Sequence, residues 1–114
     1  MKMIIATVKP HRFDTVMHAL SKDDVLGLTT WEIRGFGRER KDRTEIYRGT
    51  TYKTELKPMQ LLMVAVTDDL VERTKATIIE HANTGEISTG KIFVLNLEDA
   101  VRIRTGESGD IGLL

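Results

Sequence analysis

Residues 59–85 decide the architecture: Met59-Gln-Leu-Leu-Met-Val-Ala-Val66, then Thr67-Asp68-Asp69, then a run from Leu70 to Ala82 closed by Asn83-Thr84-Gly85. The first eight residues are apolar with one interruption, the pattern of a buried strand. Thr67 with two aspartates supplies a helix start, because acidic side chains favour the positive end of the helix dipole. Leu70, Val71, Thr74, Ile78 and Ala82 then form one apolar stripe at helical spacing, and Asn83-Thr84-Gly85 is a stop. The same sentence of sequence stands at the N-terminus. Residues 3–8, Met-Ile-Ile-Ala-Thr-Val, predict a strand buried on both faces. After Pro10, Phe13, Val16, Met17 and Leu20 mark the inner face of a helix ending near Asp24. Matching Val8 to Val66 also matches Leu20 to Ile78, so the chain reads as two similar halves.

Alternating residues from Val25 to about Phe36 predict a second strand, Lys91–Leu97 a fourth, and Val101–Thr105 a short extra strand before a glycine-rich tail over 106–114. The order strand, helix, strand, long loop, strand, helix, strand is the βαββαβ pattern of a ferredoxin-like α+β sandwich, with both helices on one face of an antiparallel sheet. A chain of 114 residues fits one such domain over 1–114. The sheet's other face would show a row such as Ile5, Leu62, Val64 and Val94 or their neighbours to water, and burial by identical subunits is the economical solution. Seventeen basic and seventeen acidic residues cancel, which argues against general attraction to nucleic acid or anionic membrane. With no cysteine there is no disulfide or thiolate chemistry, and no apolar run approaches the ~18 residues of a membrane span, so a cytoplasmic protein is expected.

Two features point to function. The stretch 37–58 is about twice an ordinary connection and carries Arg38, Glu39, Arg40, Lys41, Asp42 and Arg43, then Tyr47-Arg48-Gly49-Thr50-Thr51-Tyr52. It reads either as a mobile solvated loop or as a protruding docking loop, since exposed Tyr and Arg anchor interfaces. The second feature is a set of Gly, Lys and Arg at strand ends: Gly35, Gly37 and Arg38; Gly90 and Lys91; Arg102, Arg104 and Gly106. Glycines let backbone N–H groups approach a phosphate, and Lys and Arg neutralise it. The bland alternative pairs Arg102 and Arg104, side by side on one strand face, with Glu98 or Asp99. His11 and His18 lie about 10 Å apart along a helix, too far to share a metal ion, and no nucleophile–base spacing or P-loop is present. The sheet lacks the stacking aromatics of an RNA binder.

Several ordered motifs resemble the PII signal-transduction proteins over nearly the whole chain: Lys9-Pro10, Gly35-Phe36-Gly37-Arg38, Tyr47-Arg48-Gly49 with Tyr52, Thr84-Gly85, Gly90-Lys91-Ile92-Phe93-Val94 and Arg102-Ile103-Arg104-Thr105-Gly106-Glu107. The resemblance implies a non-enzymatic homotrimer holding ATP or ADP between subunits. It also implies that the loop between the second and third strands touches ammonium transporters or enzymes of nitrogen metabolism. It assigns nucleotide contacts to Thr29, Gly35, Gly37, Arg38, Ser88, Thr89, Gly90, Lys91, Arg102 and Arg104, and modification to Tyr52 (uridylylation) or Thr50 (phosphorylation). The departures are informative. Glu39 stands where a Gln that helps hold magnesium and 2-oxoglutarate is usual, and is the one candidate metal contact. Met59 replaces a Lys that pairs with the 2-oxoglutarate carboxylate, Met63 a Glu, and Ser88-Thr89 a Gly-Asp pair. Adding an anion and deleting a cation both disfavour a dianionic effector. The competing readings are a PII-like sensor of carbon status or another small anion, and a ferredoxin-like phosphoryl or acyl-phosphate enzyme, for which His81 is the only remote candidate.

Overall fold

The computed structural model describes residues 1–37, 46–47, 50–51, 56–87 and 89–114, with backbone alone at 46–47 and 50–51. Strand β1 (Lys2–Val8) leads through a 3₁₀ turn at Pro10–Arg12 into helix α1 (Phe13–Lys22) and strand β2 (Thr29–Gly35). Two short strands, β3 (Ile46–Tyr47) and β4 (Thr50–Thr51), pair with each other. Strand β5 (Lys57–Val66), a 3₁₀ turn at Asp68–Leu70, helix α2 (Val71–Ala82), strand β6 (Gly90–Asn96) and helix α3 (Asp110–Leu113) complete the order. The main sheet is antiparallel with strand order β2-β5-β1-β6, the ferredoxin-like arrangement that the two sequence halves predict.

Register fixes which side chains meet. Ile4 lies opposite Val64 and Val94, and Ala6 opposite Leu62 and Ile92. Ile4, Ala6, Val8, Leu62, Val64 and Val66 turn inward onto Val16 and Leu20 of α1 and Ile78 and Ala82 of α2, and all ten are buried. Each fully buried aliphatic side chain contributes about 1.5–3 kcal/mol, so this layer is the main source of cohesion. Thr74 is buried among them because its hydroxyl donates to the Leu70 carbonyl (2.7 Å) within its own helix. The helices are joined at both ends. Arg12 Nε donates to the His81 carbonyl (2.8 Å), and the Asp23 carboxylate accepts from Arg73 Nε (3.0 Å) and from the Thr77 hydroxyl.

Four expectations are corrected. β1 and β5 are not buried on both faces but alternate, and Leu62 and Val64, with Val94 opposite Ile4, lie on the helix side and not the open side. The open face is formed by the alternate set: Trp31–Leu61–Thr7–Lys91, then Thr29–Met63–Ile5–Phe93, then Ala65–Met3–Leu95. β2 starts at Thr29 instead of Val25, because Asp24 turns the chain with φ 62° and Val25 and Leu28 pack against the core. Val101–Thr105 is a turn, not a strand, and the tail ends in α3. Of the docking-loop stretch 37–58, β5 takes in Lys57 and Pro58, and 38–45, 48–49 and 52–55 lie outside the described residues.

Candidate functional site

The sheet carries two separate groups of predicted ligand residues. At one end, β6 begins at Gly90 beside Val8 of β1. Gly90 has φ 124°, and a Cβ there would lie 1.7 Å from the Thr7 carbonyl oxygen, so only glycine permits this approach. The Lys91 amide donates to the Thr7 hydroxyl (3.2 Å), which fixes the first rung of the edge strand. The loop before it is shaped by its own polar groups. The Gly85 amide donates to Asn83 Oδ1 (2.8 Å), Thr89 Oγ1 donates to the Glu86 carbonyl (2.5 Å), and the Thr84 and Thr89 hydroxyls lie 3.1 Å apart. Thr89, Gly90 and Lys91 thereby border a cavity of about 330 Å³ floored by Val8, Ile78, Ala82 and Ile92. The exposed Lys91 ammonium makes no hydrogen bond or ion pair with any described residue. Gly35 ends β2 at the same end of the sheet, with β5 and β1 between it and β6 and with open space where a Cβ would be, and Gly37 is exposed beyond it.

Thr29 stands at the opposite end of β2, about 20 Å from Gly35 at 3.3 Å per residue. It borders a second hollow, about 440 Å³, with Leu26, Met63, Ala65, Leu113 and Leu114. Arg102 and Arg104 sit in the turn after β6, on the side of the sheet where that strand ends. The turn is closed by the Val101–Ser108 bridge, by the Arg102 amide on the Glu107 carbonyl (2.9 Å) and by the Gly106 amide on the Arg102 carbonyl (2.7 Å). The two arginines therefore do not share a strand face. Arg102 is paired with Glu107 (2.7 Å) and also donates to the Ile111 carbonyl (3.1 Å), in place of the expected Glu98 or Asp99. Asp99 Oδ1 instead accepts from the Ala100 and Gly109 amides. Arg104 is exposed at the turn and makes no bond to any described residue.

One chain thus brings Thr89, Gly90 and Lys91 together, with Gly35 and Gly37 at the same end, and holds Arg102 and Arg104 in the turn beyond the other end, while Thr29 stands level with Ile5 and Phe93 in the middle of the sheet. Arg38, Glu39, Tyr52 and Ser88, and the Thr50 side chain, lie outside the described residues. Sequence reasoning missed Thr7 and Glu107. Thr7 is a polar break in an apolar strand, and Glu107 follows the glycine that closes the arginine turn. The His81 Nδ1–H donates to the Thr77 carbonyl (2.9 Å) inside α2. No helix among the described residues is long and apolar enough to cross a membrane.

A single ferredoxin-like unit thus presents an exposed apolar sheet face and separate basic, glycine-bordered groups that one chain does not join. The profile of the family Nitrogen regulatory protein P-II matches residues 1–107. The Nitrogen regulatory protein P-II of Haemophilus influenzae is 47% identical over 110 residues, 96% of this chain and 97% of the relative. That of Klebsiella oxytoca is 43% identical over 113 residues, and the Nitrogen regulatory protein P-II 1 of Escherichia coli K12 is 42% identical over 113, each covering 99% of this chain and 100% of the relative. The chain belongs to the P-II family of nitrogen regulatory, signal-transduction proteins, which are regulators and not enzymes. The phosphoryl and acyl-phosphate enzyme reading falls with that assignment.

Proposed function

We propose that this chain works in the cytoplasm as a homotrimeric switch. ATP or ADP is bound between subunits, and the stretch 37–58 docks on an ammonium transporter or an enzyme of nitrogen metabolism. The observation that carries the reading is the separation of the two ligand groups. Lys91 and Gly90 lie at one end of the sheet and Arg102 and Arg104 in the turn beyond the other, so a second copy is needed to close one anion site. The apolar open face supports the same assembly: Phe93, Leu95 and Trp31 are each about half exposed there, an arrangement that self-association would relieve.

The effector is an adenine nucleotide without coupling to 2-oxoglutarate. Met59 lies opposite Ile33 on the open face, an apolar pair at the position where the family resemblance expects a lysine for the dicarboxylate, and Glu39 adds a negative charge. Isothermal calorimetry tests the reading: ADP or ATP binds the wild type, and Arg104→Ala weakens binding by about 1.5–3 kcal/mol, the worth of a charge-assisted hydrogen bond. Millimolar 2-oxoglutarate leaves ATP affinity unchanged. Strong positive coupling would make this an ordinary 2-oxoglutarate sensor, and absence of nucleotide binding would remove the assignment of the basic residues.

A further inference from the structure

The C-terminal helix α3 meets predicted ligand residues in two independent ways. First, it engages Arg102. One arm of that guanidinium donates to Glu107 and the other to the carbonyl of Ile111 within α3, so a group able to bind an anion is already occupied by a carboxylate and a helix carbonyl. Second, Leu113 and Leu114 form a wall of the hollow that Thr29 and Met63 border. Close docking depends on Gly112, where a Cβ would lie 2.2 Å from the Ala100 carbonyl oxygen, and on the Gly109 amide bonded to Asp99 (2.9 Å).

We propose that α3 is a built-in competitor of the ligand: Glu107 and the Ile111 carbonyl hold Arg102 while Leu113 and Leu114 close on the Thr29–Met63 hollow, so that capturing a polyphosphate anion undocks the helix. The inference rests on the nucleotide reading above. A carboxylate next to an incoming phosphate repels it, so the Arg102–Glu107 pair weakens an Arg102–phosphate pair and competes with it for the guanidinium. The exchange is cheap, because the existing pair is 31% and 44% exposed and an exposed pair is weak. The backbone rungs from Arg102 to Glu107 and from Gly106 to Arg102 need not break, so the turn survives the exchange. Helix α3 is one turn of four residues and cannot persist without its docking contacts. Losing them therefore frays it, and the bonds from the Leu113 amide to Gly109 and from the Leu114 amide to Asp110 go with it.

The test is hydrogen exchange of the segment 107–114 in the full-length protein, with ADP affinity measured by calorimetry on the same samples. Saturating ADP speeds exchange at Leu113 and Leu114. Glu107→Gln speeds it without ligand and tightens ADP binding about two- to fivefold, the worth of an exposed ion pair. Leu113→Ser, which opens the hollow without touching any charge, moves both readouts in the same direction. ADP binding with unchanged or slower exchange overturns the competitor role and leaves the nucleotide reading intact. Weaker ADP binding by Glu107→Gln also overturns it, since Glu107 would then be positioning Arg102 for the ligand. A wild type that binds no ADP overturns both.

Discussion

Asp23 is the residue at which solvent pH reaches the packing of the two long helices. Its carboxylate accepts from the Thr77 hydroxyl and then from the Arg73 guanidinium, and these bonds hold its pKa below the ordinary 3.8 of an aspartate, with burial opposing them. A lowered pKa in the folded state means stability that is present above pH 3.8 and lost as pH falls through the folded value. Thermal melts of wild type and Asp23→Asn should therefore differ fully at neutral pH and converge only as the pH falls below 3.8 through the lowered folded value; a gap that widens in acid would show that another carboxylate governs the transition. Gly90 sets a second limit at this scale. Replacing it by Ala forces a Cβ into the Thr7 carbonyl at a φ of 124°, and should cost about 3 kcal/mol in urea unfolding by displacing the start of β6.

Elements are specified by which face a residue takes, and α2 tests this with adjacent isoleucines. Ile78 is 1% exposed and Ile79 is 56% exposed. Ile78→Ala should destabilise the fold by about 2–5 kcal/mol, whereas Ile79→Ala should stay within about 0.5 kcal/mol, both read from denaturant midpoints. The stripe from Leu70 to Ala82 was legible because helical spacing in a polar background has one solution. The strands were legible in number but less so in facing, because apolar runs such as Leu61-Leu62-Met63-Val64 carry no polar alternation to say which side meets the helices. The arginine turn was misread for a related reason. Val101-Arg-Ile-Arg-Thr105 alternates like a strand, and only the glycines at 106 and 109, both with positive φ, disclose that the chain bends back on Glu107. Gly90 and Lys91 were legible as neighbours at a strand start, but their partner Thr7, eighty-four positions away from Lys91, was reachable only through the sheet register.

For the whole molecule, the open sheet face is the deciding surface. Phe93 is half exposed on it, opposite Ile5, so Phe93→Asp should cost the single chain little while placing a charge in the middle of any shared face. Light scattering should find the wild type at three times the 12.9 kDa chain mass and this variant at the mass of one chain; a wild type at single-chain mass would remove the trimer from the proposal. The sequence already pointed to an uncovered face, but not to its members, since facing was the part of the strands it left open. The split between the Lys91 end and the Arg104 end then has a consequence in genetics. A site assembled from two different copies obeys complementation rules. Chains carrying Lys91→Ala and chains carrying Arg104→Ala should each bind nucleotide weakly alone, yet when refolded together they should regain a fraction of wild-type affinity sites, because an intact Lys91 end of one allele meets an intact Arg104 end of the other. A chain bearing both changes supplies neither end and rescues neither.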